Sequence, residues 1–126
     1  MNSQRSQSLI EFSLTVGLLM LVVVATAQIA IVLHYRYNLT LATREGAYEA
    51  SLLNHGPADA QRTTHQVWTA VEPDGGTIEV TVTRSGDLVI VTARAYAPAL
   101  IPGPVPPFKT WPISARSAHT VEVFTQ

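Results

Sequence analysis

The chain has 126 residues, 47% of them hydrophobic and 13% charged, with a formal net charge of −1 at pH 7. Its basic and acidic residues are scattered without a basic patch, which argues against nucleic acid as a partner. There is no cysteine, which excludes disulfides, thiolate chemistry and cysteine-type zinc sites.

Mean hydropathy is +0.20, high for a soluble protein. The source is the N-terminal third. Arg5-Ser6-Gln7-Ser8-Leu9-Ile10-Glu11-Phe12 opens onto an apolar run, and residues 14–33 contain no charge. The polar residues inside the run are Thr15, Thr26 and Gln28, with Gly17 near its start. A helix of about 20 residues spans about 30 Å, the thickness of a bilayer core. Three readings compete. The first is a plain membrane anchor. The second is a secretory signal peptide cut after Ala25-Thr26-Ala27. Against it, apolar sequence continues through Ile29, Ile31 and Leu33, Arg5 makes a thin basic region, and Glu11 interrupts the approach. The third is a prepilin-type leader, cut between Ser6 and Gln7. Glu11 then becomes the fifth residue, and its carboxylate can pair with the Gln7 amine of a neighbouring subunit. In an apolar zone an unpaired ion is expensive and a pair less so, so the pair would fix register. Otherwise Glu11 sits among lipid headgroups.

The helical spacing continues beyond the run. Leu39, Ala42, Gly46, Ala50 and Leu53 recur at intervals of three or four residues. The small residues on this stripe predict close packing against a partner helix. Tyr35 and Tyr37 suit a membrane interface, and Arg36 can snorkel. Gln28 is expected to hydrogen-bond across helices and favour oligomers. Asn54-His55-Gly56-Pro57 is a stop signal. Arg5 flanks one end of the span, and Arg36 and Arg44 flank the other, so charge alone does not orient it.

Residues 57–71 predict a second helix with Ala60, Thr64, Val67, Trp68 and Val71 on one face. Pro57 suits its first turn. Glu72-Pro73-Asp74-Gly75-Gly76 reads as a solvated loop. Residues 77–84 alternate, with Ile78, Val80 and Val82 on one face. Ser85-Gly86 turns the chain into a second strand over 87–96, and 113–124 gives a third with Ile113, Ala115, Val121 and Val123 together. Six of the eight prolines lie from Pro98 to Pro112, which predicts a long connection rather than a central strand. Its Leu100, Ile101, Val105, Phe108 and Trp111 are expected either to cover the core or to form a contact patch for another subunit or the membrane surface. The expected fold is α+β: a long N-terminal transmembrane helix continuing into a small head with a second helix and a three-stranded antiparallel sheet. The segments are a leader (1–6), a membrane and stalk helix (7–55) and a head (56–126).

The opening segment, the apolar run and Ala42-Thr43-Arg44-Glu45-Gly46-Ala47 together resemble the TadE-like proteins. These are minor pilins or pseudopilins of the tight-adherence (Tad/Flp) branch of type IV pilus systems. The resemblance covers residues 5–50. Ser6 stands where the family usually has glycine, and Gly17 where a proline is common. The resemblance implies a cytoplasmic N-terminus, an outward head, and processing by a prepilin peptidase. It also implies the inner membrane, other pilin subunits and pilus assembly machinery as partners. Arg44, Glu45 and Gly46 would be a helix-packing signature, not a catalytic one, and Gly17 and Gln28 join them as packing positions.

The four histidines, at 34, 55, 65 and 119, form neither HxxxH nor HExxH, and phosphate-binding and nucleophile-elbow motifs are missing from the sequence. No cofactor, metal or enzymatic activity is expected. The sequence predicts a structural or assembly subunit. The alternatives are an uncleaved anchor protein of a cell-envelope or secretion complex, and a small exported binding domain with a signal peptide.

Overall fold

The structure is a computed structural model, and it describes residues 2–52, 55–100 and 110–121. Its elements are α1 (Asn2–Ser51), α2 (Pro57–Val71), β1 (Glu79–Ser85), β2 (Leu88–Pro98) and β3 (Thr110–Thr120). The architecture is the expected α+β: one long apolar helix, a second helix and a three-stranded antiparallel sheet.

No proline occurs before Pro57, so nothing interrupts the helical ladder of α1. At 50 residues, α1 is about 75 Å long. Thr15, Thr26 and Thr40 each donate the hydroxyl to the carbonyl four residues back, at 2.8 Å. This satisfies the first two within a helix otherwise lined by hydrocarbon. The end of α1 tightens where Ser51 Oγ donates to the Tyr48 carbonyl at 2.6 Å.

α2 occupies the expected residues. Pro57 stands in its first turn, and the Gly56 N–H donates to Asp59 Oδ2 at 2.8 Å. That bond, followed by the Arg62 guanidinium, holds the Asp59 carboxyl below its ordinary value. Ala60, Thr64 and Trp68 form the buried face.

The sheet has the order β1-β2-β3 with both pairings antiparallel. Ser85 pairs with Leu88 across a two-residue turn, and Gly86 takes a left-handed φ of 59° there. On central β2 the buried residues alternate as Val89, Val91, Ala93, Ala95 and Ala97. The proline-rich connection is shorter at both ends than the sequence predicts. Pro98 closes β2 opposite Thr110, and Pro112 lies in β3 opposite Tyr96. β3 is an edge strand, where a residue without an N–H is tolerated. β1 begins at Glu79 rather than 77, and β3 ends at Thr120 rather than 124. Leu53, Asn54, residues 101–109 with their four prolines, Val123 and Phe124 lie outside the described residues.

The buried residues of α1 from Asn38 onward fall as neighbouring pairs every four positions: Asn38 and Leu39, Ala42 and Thr43, Gly46 and Ala47, Ala50 and Ser51. This gives the helix two adjacent inward stripes. α2 packs on α1, and so do β2 and β3. The core is built from small side chains: Ala42, Ala47, Ala50 and Ala60 from the helices, and Ala93, Ala95, Ala97 and Ala115 from the sheet. Short side chains let α1 lie close to both layers, and Trp68 and Leu39 supply the bulk. Trp111 packs half-buried against this core, while Leu100 is exposed.

Candidate assembly site on the N-terminal helix

Below Gln28, α1 leaves the head. Leu9, Leu14, Leu18 and Leu21 are each at least 63% exposed, in keeping with a helix long and apolar enough to cross a membrane. Ser6 and Gln7 lie in the first two turns, where Ser6 Oγ donates to the Asn2 carbonyl at 3.0 Å. Glu11 stands four residues after Gln7, on the same face of the helix. Among the described residues it makes no ion pair. A Cβ on Gly17 would meet open space, so no neighbour approaches it within the chain.

Gln28 is different. Only 3% exposed, it donates from Nε2 to the Pro98 carbonyl at 3.2 Å and accepts at Oε1 from the Leu100 N–H at 2.5 Å. These bonds run to the end of β2 in the same chain, where an interhelical bond was expected.

One turn above the next, a polar junction ties α1 to the end of α2. Asn38 Nδ2 donates to Glu72 Oε1 at 2.6 Å, and His34 Nε2 lies 3.0 Å from the same oxygen. The Glu72 side chain is 11% exposed, so it is not the solvated loop carboxylate that the sequence suggests. Burial first, then the nearby Glu72 charge, raises the Tyr35 phenol above its ordinary value. Tyr35 meets Trp68 edge-on at 6.1 Å, and Trp68 Nε1 donates to the Gly76 carbonyl at 3.2 Å.

Gly46 makes a close helix contact, and the helix is the chain's own α2. A Cβ there would lie 2.0 Å from Thr64 Oγ1 and 2.9 Å from the Ala60 carbonyl. Arg44 and Glu45 point away from this contact, exposed and without ion pairs among the described residues. The site residues thus fall into three groups along α1: Ser6, Gln7 and Glu11 at the base, Gln28 at the head's edge, and Arg44 to Gly46 beside α2. The sequence missed the Gln28 bonds and the Glu72 junction. The available signals were a lone amide in an apolar run and Asn38 beside the buried stripe.

No curated protein and no solved structure gives a match. Residues 7–47 match the family model for TadE-like protein, so the stretch that holds Gln7, Glu11 and Arg44-Glu45-Gly46 is similar to that family, and its one long apolar helix fits a single-pass membrane anchor.

Proposed function

We propose that this chain is a minor pilin or pseudopilin of a Tad/Flp-type pilus that serves adhesion and surface attachment. A prepilin peptidase cuts it between Ser6 and Gln7. The N-terminus faces the cytoplasm and the head faces outward. Subunits then associate through α1, with one another or with other pilins, under the control of the assembly machinery. The observation that carries this reading is the isolation of Glu11. Thr15, Thr26 and Gln28 have their polar groups satisfied inside the chain, whereas the Glu11 carboxylate has no partner among the described residues. A charge at mid-membrane costs about 2.5–3.5 kcal/mol, less near an interface, and a neighbour's Gln7 α-amine offsets that cost. Exposed Arg44 and Glu45 are further groups for a neighbour to engage.

The test is Glu11→Ala in cells that assemble the pilus. The variant is expected to stay in the membrane fraction and to disappear from sheared pili or from the assembled complex. Undiminished incorporation would refute the pairing.

A second reading draws on the contact boundary at Gln28. Gln28 is the first fully buried residue of α1, so a signal-peptidase cut after Ala27 would keep all the buried residues of the helix with the head. The family match favours the first reading, because it runs across that boundary.

A further inference from the structure

We infer that the membrane span is residues 8–27 and that the head rests directly on the lipid surface, held there by Gln28 with Leu100 in the headgroup layer. The inference depends on α1 being a membrane anchor, as proposed above. Gln28 uses both sides of its amide on the main chain of Pro98 and Leu100, much as a neighbouring strand would. It therefore fixes the end of β2 to α1 at the level where the helix passes from bare to packed.

Two lengths then decide the depth. The helix over 8–27, exposed except at half-buried Ala25 and Ala27, measures about 30 Å, which fills a bilayer core without remainder. A span over the uncharged run 14–33 would lower the whole head by six residues of helix, about 9 Å. The non-helical main chain at Ala99 and Leu100 would then face hydrocarbon, where lipid-exposed irregular backbone does not occur. With the span at 8–27, the same backbone lies at the interface, where water and headgroups are available. Leu100 is 57% exposed and Ile29 is 60% exposed, and both present apolar surface at that level. The lipid surface is continuous with the hydrocarbon that covers Leu9 to Val24, so lipid is the occupant this patch fits. Glu11 falls three residues inside the inner edge, about 4.5 Å deep, which sharpens its need for a partner.

Because the chain has no cysteine, single labels are unambiguous. Leu18→Cys, Leu100→Cys and Leu88→Cys would each carry a bimane fluorophore. The full chain is reconstituted in phosphatidylethanolamine–phosphatidylglycerol vesicles containing nitroxide lipids of graded depth. Position 18 is expected to be quenched most by deep nitroxides and position 100 by headgroup and shallow nitroxides. Position 88, at the β1–β2 turn, should be quenched by neither. A deep label at 18 with an unquenched label at 100 overturns the seating and leaves the anchor standing. An unquenched label at 18 overturns both. Deep quenching at 100 overturns the 8–27 span. Gln28→Ala should reduce quenching at 100 and leave 18 unchanged, and equal quenching at 100 in this variant overturns the role of Gln28.

Discussion

Gly46 shows how one missing side chain sets the distance between two helices. Its α-carbon faces Thr64 and the Ala60 carbonyl, so Gly46→Ala must push α2 away from α1. Overpacking of this kind typically costs about 1–3 kcal/mol. The expected result is a lower denaturant midpoint for the full chain in detergent. Thr64→Ala in the same chain should restore part of the loss, because it removes the 2.0 Å clash with Oγ1 but leaves the carbonyl at 2.9 Å. If Gly46 served contact with another subunit instead, the single substitution would leave the midpoint unmoved and disturb only assembly. The stripe of Leu39, Ala42, Gly46 and Ala50 was legible because its spacing is helical. Its partner was not, since a stripe of small residues specifies closeness and leaves open which helix comes close.

At the scale of elements, patterns that repeat were readable and single long-range bonds were not. α2 carries a face of Ala60, Thr64 and Trp68, and residues 79–83 of β1 alternate, so each declares its own period, whereas β2 opens on a continuous apolar run, Leu88 to Val91, and alternates only in its burial. The ends of β2 and β3 were harder, because proline discourages pairing in general and only the edge position of β3 admits Pro112. Gln28 and Glu72 gave no periodic signal at all. Their partners lie 70 and 34 residues away in sequence, and only the folded topology brings them together. The start of α2 permits a direct test. The Gly56 N–H, and then Arg62, hold the Asp59 carboxyl below its unfolded value. A depressed carboxylate stabilises the fold above the unfolded pKa, and that contribution is lost as pH falls through the folded one. Thermal melts of the head taken downward from pH 5 should therefore lose stability partly through Asp59, and Asp59→Asn should flatten that acid slope. An unchanged slope would mean that the cap contributes nothing to the acid limb.

For the whole molecule, the decisive division lies between the bare part of α1 and the part built into the head. The chain below Gln28 contributes nothing to the head's core, whose buried residues begin at Leu39 in α1. It is therefore free to be cut, to sit in lipid or to join other helices without unfolding the head. This separation lets processing be tested apart from folding. The Ser6–Gln7 bond lies in the second turn of α1, next to the first turn, whose N–H groups have no partner within the helix. On the proposed processing, a peptidase site shaped for glycine is expected to admit the small serine and to reject leucine. Intact-mass measurement on protein from native membranes should thus find a chain beginning at Gln7. Ser6→Gly should be cut at least as completely, and Ser6→Leu should accumulate uncut with its head folded and its membrane insertion intact. A start at Gln28 instead would identify a secretory signal and remove Glu11 from the mature protein altogether. An uncut chain in all three forms would leave a permanent anchor, with Glu11 still in need of a partner but without the Gln7 amine to supply it.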